Sequence, residues 1–206
     1  MHRNPGAVAA LALVGLTIPA TFASADVVWN EGVSGDLSSV PGAPTPLVLA
    51  LGSNSVVGTA GTGDTQDWVT VTVPQGFQIT SLVHAAYVSA DPQGFMGVQA
   101  GASFVGNPFA AGSYMGFAHF GFAAVNGAFP ATNTVGSDML ALMANPAVAP
   151  GSTGFTTPLG PGTYTFLFQQ LSGTTQYQFD FVVTPAPSAA AVVGLGLAGV
   201  LRRSRR

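Results

Sequence analysis

From Asn4 to Leu201 the chain carries no lysine and no arginine. The five basic residues are Arg3, Arg202, Arg203, Arg205 and Arg206. All eight acidic residues fall between them: Asp26, Glu31, Asp36, Asp64, Asp67, Asp91, Asp138 and Asp180. Whatever this long stretch folds into must close without an internal Lys or Arg ion pair. A stabilising counter-charge has to come from an external cation or a partner. Apolar burial and hydrogen bonds must do the rest.

The same distribution removes whole classes of function. Nucleic-acid binding neutralises phosphates with Lys and Arg, and a basic patch is what holds a protein on anionic lipid. The body has neither. Cysteine is absent, which excludes disulfides, thiolate metal sites and cysteine nucleophiles. A secreted domain of about 160 residues buries enough core to fold without disulfides.

Between the ends the hydrophobic pattern has period two. In "DWVTVTV" (67–73) Val69, Val71 and Val73 share one face, with Trp68, Thr70 and Thr72 on the other. "TYTFLFQQL" (163–171) groups Tyr164, Phe166 and Phe168, and "QYQFDFVV" (176–183) groups Tyr177, Phe179, Phe181 and Val183. This is the alternation of half-buried strands. "FQITSLVHAAYVS" (77–89) is apolar on both faces, as a central strand would be, and "SYMGFAHFGF" (113–122) is similar. "LVLALGSNSVVGT" (47–59) reads as strand, turn at Gly52-Ser53-Asn54, and strand. "SGTTQ" (172–176) reads as a hairpin between the last two strands. Only "GSDMLALMANP" (136–146) has helical spacing, with Ser137 or Asp138 as cap. The Gly, Ala and Phe-rich segment 95–129 reads as strands with loops, because aromatics at that density favour burial. No internal repeat is present. Six or more short strands with turn signals predict an all-β fold, an antiparallel β-sandwich or jelly roll in a single domain.

The ends are of another kind. Arg3, the apolar run 7–18, Pro19 and the small pair Ala23 and Ala25 make a secretory signal peptide over 1–25, with cleavage after Ala25. At the other end Pro185-Ala186-Pro187 precedes the apolar stretch 188–201 and the four arginines. As a helix that stretch spans roughly 21 Å, against about 30 Å of hydrocarbon, and snorkelling arginines extend its reach. Positive charge keeps both ends cytoplasmic and the acidic body outside.

This tail, 185–206, resembles the PEP-CTERM sorting signal of bacterial exosortase substrates: a proline motif, a short Gly/Ala/Leu-rich helix and an arginine cluster. It departs at Ala186, where the typical motif has Glu. The resemblance implies transient anchoring in the inner membrane, processing by an exosortase-like sorting enzyme, and association with exopolysaccharide. "GDTQDWVTVTVPQGFQIT" (63–80) and "LGPGTYTFLFQQLSGTTQYQFDF" (159–181) resemble bacterial pre-peptidase C-terminal domains. In that family an Asp-x-x-Asp-aromatic opens a strand, and a Gly-Thr-Tyr strand precedes a closing hairpin. Such domains are non-catalytic appendages of secreted proteins; here the appendage would stand alone.

Three kinds of site remain to weigh. His84 and His119 each sit in an apolar strand and read as core histidines. No G-x-S-x-G elbow accompanies them, and with Glu31 the only glutamate a glycosidase pair would need aspartates. For metal, Asp64 and Asp67 just before a strand, with Asp91 and Asp138 in other loops, offer the oxygen ligands calcium takes; the competing reading is turn-forming aspartate. For glycans, Trp29 and Trp68 are stacking candidates, Trp68 because it lies opposite the valines.

The expectation is therefore an exported, non-enzymatic surface or matrix protein with a signal peptide at 1–25, a β-sandwich at 26–184 and a sorting tail at 185–206. Its role would be structural or adhesive, beside exopolysaccharide, with the secretion machinery as a partner and no cofactor, calcium entering only in the first alternative. The alternatives are a calcium- or glycan-binding module and, third, a secreted hydrolase.

Overall fold

The computed structural model describes residues 25–121, 132–133 and 135–187. The signal-peptide run with Ala23, the apolar stretch 188–201 and Arg202, Arg203, Arg205 and Arg206 lie outside the described residues. Among the described residues no helix is long and apolar enough to cross a membrane.

The chain is mostly strand. In order it forms β1 (Asp26–Asn30), α1 (Glu31–Ser34), β2 (Thr45–Leu47), β3 (Gly52–Gly61), β4 (Gln66–Val73), β5 (Phe77–Val88) and β6 (Gln93–Ala100). There follow β7 (Gly116–Gly121), β8 (Thr132–Asn133), α2 (Met139–Met143), β9 (Gly162–Gln169) and β10 (Thr174–Pro185). One sheet has the order β1-β3-β10-β5 and the other β2-β4-β9-β6-β7-β8. From β1 to β6 each successive strand joins the opposite sheet.

The topology departs from the sequence reading in three ways. The sheets are mixed rather than purely antiparallel: β1 runs parallel to β3, β2 to β4 and β7 to β8. A chain that crosses to the other sheet and returns arrives in its original direction, so β1 and β3 are parallel. Second, the 172–176 segment is not a hairpin turn, because β9 and β10 belong to different sheets. Their aromatic rows face each other instead: Phe168 stacks on Phe179 at 4.8 Å and 9°, and Phe166 meets Phe181 edge-on at 5.2 Å. Side by side in one sheet these rows would lack that mutual cover. Third, Gly52-Ser53-Asn54 does not turn between two strands but begins β3, and residues 48–51 make the connection from β2.

The valines of β4, Ile79 and Leu82 of β5, Met96 and Val98 of β6, and the β9 and β10 aromatics form one core between the sheets. β5 is not central; it ends its sheet. Its outer edge is met by backbone hydrogen bonds between Ile79 and Leu159 and from the His84 N–H to Ser137 O. Asp138 caps α2 through Leu140 N and also accepts from Leu82 N at 3.1 Å. This covers an edge that has no lysine to guard it, and α2 buries Met139, Leu140 and Met143 against the core.

Candidate metal centre

The strand alternation that buries Val69, Val71 and Val73 also turns Asp67 inward. It is fully buried at the end of the β4 core face. The facing sheet supplies Tyr177 by the same parity from β10. Its hydroxyl donates to Asp67 Oδ2 at 2.7 Å. The Tyr177 ring lies over Gly58, its cross-strand partner in β3. A Cβ on Gly58 would fall 2.6 Å from Tyr177 Cζ, so only glycine leaves room for the ring there.

Segment 31–38 closes this end of the sandwich. Asn30 caps α1 by accepting from Gly32 N. Glu31 Oε1 accepts from Leu37 N at 3.0 Å, and Oε2 from Thr59 N and Thr59 Oγ1 at 2.6 and 2.9 Å. The segment then reaches the other sheet, where the Trp68 N–H donates to Ser38 O at 2.8 Å. This path delivers two carboxylates to Asp67. One oxygen each from Glu31, Asp36 and Asp67 lie within 4.8 Å of one another. Asp64 joins the group through Asp36.

Among the described residues no lysine or arginine relieves this crowding, and the proton equilibria register it. Burial, only partly offset by the Tyr177 hydrogen bond, pushes Asp67 from 3.8 to about 9, and Glu31, Asp64 and Asp36 add to the rise. Asp64 is pushed up to about 6 by burial first and then by Asp36 and Glu31. Burial and the adjacent Asp67 raise Tyr177 well above its ordinary value, so its hydroxyl stays a donor. Asp67 Oδ1 is buried with no hydrogen-bond partner.

The donor set fits a hard divalent cation. Calcium binds oxygen at roughly 2.3–2.6 Å, so two of its ligands stand at most about 5 Å apart. The spacing of the three carboxylates satisfies that bound, and the orphaned Oδ1 is the atom a cation would satisfy. Of the calcium candidates read from sequence, Asp64 and Asp67 come together here. Asp91 does not join that group: it accepts from Gln93 N and Ser172 Oγ. Asp138 is the helix cap. Sequence reasoning missed Glu31, Asp36 and Tyr177; the parity of β10 could have placed Tyr177 inward, whereas nothing in the spacing joins 31 and 36 to 67.

The remaining candidates are placed as follows. Trp68 does lie opposite the valines, but it is fully buried. Phe104, 4.7 Å away, and Tyr114 cover it with Leu167 in a second cluster on the outer face of the larger sheet. It is therefore no surface for stacking a sugar. Trp29 is half-buried and donates Nε1–H to Gly35 O. His84 is fully enclosed among Tyr87, Phe120 and Phe179. His119 packs edge-on against Phe95 at 5.5 Å, and burial lowers its proton affinity. Pro185 is the last residue of β10, and the Ala186 N–H donates to Gly76 O; Pro187 follows outside the strand.

No family model matches the chain, and no curated protein and no solved structure matches it.

Proposed function

We propose that this chain is an exported, non-enzymatic β-sandwich protein of a bacterial envelope or extracellular matrix, and that calcium locks one end of its sandwich. Its role is structural or adhesive. The single observation that carries the calcium reading is Asp67: its Oδ1 is buried and unpartnered, and one of its carboxylate oxygens lies within 4.8 Å of one each from Glu31 and Asp36. Asp67 belongs to one sheet, Tyr177 to the other, and Glu31 and Asp36 to the segment that joins them. A cation there would hold all three parts together, in a medium where free calcium is plentiful and the chain offers no lysine or arginine between residues 4 and 201.

On this reading the body is an all-β sandwich of two mixed sheets, related to the jelly-roll kind, in which the short strands β1, β2 and β8 make the parallel pairs. The ends support export: a signal-peptide pattern stops at Ala25, one residue before β1 begins, and a PEP-CTERM-like tail starts where β10 stops. An exosortase-like enzyme would process that tail, and exopolysaccharide would be the surrounding material. The non-enzymatic reading is supported by the enclosure of His84. It is also supported by the order of contacts near His119, where Ser172 donates directly to Asp91; in a triad the histidine stands between the two.

Calcium titration decides the matter. Wild type should gain thermal stability with calcium in the micromolar to millimolar range of extracellular sites, and Asp67→Asn should lose that response while still folding. A wild type whose melting temperature is the same in calcium and in chelator would overturn the reading.

A further inference from the structure

The outer face of the larger sheet carries a second feature, built from residues the calcium reading does not use. Cross-strand register places Trp68, Leu167, Gly97 and Phe117 in one row and Gln66, Gln169, Phe95 and His119 in the next. Over Trp68, Leu167 and Gly97 the first row is roofed, while Phe117 stays open to the groove. The Tyr114 ring sits over Gly97, where a Cβ would strike it, and Phe104 closes the other side. Gln169, Phe95 and His119 of the second row are left as the floor of a groove of about 600 Å³. Phe95 and Phe117 form its aromatic base, stacked at 5.7 Å. Pro108 and Phe109 wall one side and Leu171 another. Phe109 is 70% exposed and Leu171 60%, so two large apolar side chains stand at the mouth in water.

The polar groups of the groove discriminate between ligands. Most of them are already bonded to one another. Asp91 accepts from Gln93 N at 3.0 Å and from Ser172 Oγ at 2.6 Å. Gln170 Nε2 donates to Gln93 O at 2.8 Å, and its Oε1 accepts from Ser172 N. The Tyr114 hydroxyl donates to Pro108 O at 2.7 Å. Among the buried polar atoms of the groove one donor is left over: Gln169 is only 5% exposed, and its Nε2 has no partner. A buried amide donor without an acceptor has given up its hydrogen bond to water with nothing in return.

We propose that this groove is a binding site for an uncharged, largely apolar small molecule that seats one carbonyl or hydroxyl oxygen against the Gln169 amide. The volume lies in the range of small-molecule sites, and aromatic walls with few convergent polar groups are their usual make-up. A sugar brings many hydroxyls, and among the buried polar atoms of this groove only the Gln169 amide is unspent. An anion, a fatty-acid carboxylate included, meets no lysine or arginine between residues 4 and 201 and has Asp91 beside it.

Nile red, a neutral apolar dye with a ring carbonyl, is the probe, added to the full chain and followed by fluorescence. Two exchanges leave both apolar ends of the chain untouched and so isolate the groove: Phe109→Ser at the exposed mouth and Gln169→Leu at the floor. The expected result is saturable binding that Phe109→Ser weakens severalfold. Competition by 2-acetylnaphthalene against 2-ethylnaphthalene then reads the amide. The ketone should compete roughly three- to tenfold better on wild type, the equivalent of one net hydrogen bond, and the preference should vanish in Gln169→Leu. Dye binding unaffected by Phe109→Ser overturns the proposal. So does an absent ketone preference, or displacement of the dye by a neutral oligosaccharide such as maltoheptaose.

Discussion

The Tyr177 hydroxyl donates to Asp67 Oδ2 at 2.7 Å across the interior of the sandwich. The bond joins β10 of one sheet to β4 of the other at the only end where Glu31 and Asp36 also converge. A neutral donor on one side and carboxylates on the other leave Asp67 a choice between a proton and a cation, and its consequences are measurable.

Stability should fall with rising pH when calcium is withheld. Asp67 holds its proton in the fold up to about 9, against 3.8 for the ordinary group. Below pH 4 folded and unfolded chains are both protonated there. Between 4 and 9 the unfolded chain has lost the proton and the fold retains it, so unfolding becomes easier with each pH unit. Asp64 contributes in the same direction between about 4 and 6. Melting temperatures in chelator should decline from pH 5 to pH 9. Calcium, which takes the proton's place, should flatten the decline. A rise in chelator over that window would contradict the assignment.

Tyr177→Phe should destabilise the protein by about 1–3 kcal/mol, since it strips the remaining donor from a buried carboxyl oxygen. The hydrogen bond also lowers the proton affinity of Asp67, so its loss should move the Asp67 titration to higher pH. A carboxyl carbon NMR titration of wild type and variant reads the shift directly. A titration midpoint that stays put or falls would show that the two side chains are not coupled.

Gly58→Ala probes the same site from the backbone side. The added methyl would collide with the Tyr177 ring, and moving that ring drags its hydroxyl off Asp67. Overpacking of this sort costs about 1–3 kcal/mol. Denaturant unfolding should show that loss, and the calcium response should weaken with it. A variant as stable as wild type would mean that the ring has room to move.

The strands themselves were legible because each of 67–73, 163–169 and 176–183 obeys a strict parity that the pleat enforces. The same parity carries Asp67 inward, although a lone carboxylate before a strand also reads as a turn residue. Partners were not legible. The row 164–168 and the row 177–183 look alike whether they pair side by side or face each other, and only the switch of sheets at 170–173 separates these arrangements. Glu31 and Asp36 meet Asp67 because the chain changes sheets between β1 and β2, a long-range event without a local signal. Trp68 illustrates the converse. Its face was read correctly, but its cover comes from Phe104 and Tyr114, in the long β6–β7 connection.

Trp68→Ala therefore tests packing rather than recognition. The side chain is fully buried against Phe104, Tyr114 and Leu167 on the outer face of the sheet. Removing it empties that cluster and leaves Phe104 without its nearest ring. Large-to-small exchange of a buried tryptophan costs about 3–5 kcal/mol, a sizeable share of the total stability of a domain this size. The loss should show as a lowered denaturant midpoint with an unchanged slope, the mark of reduced stability rather than a changed unfolded state. The calcium response should survive, because Trp68 points away from Asp67 on the opposite side of the same strand. A Trp68→Ala protein of wild-type stability would mean that the indole stands clear of that cluster in solution, and the stacking role that its burial rules out would have to be reopened.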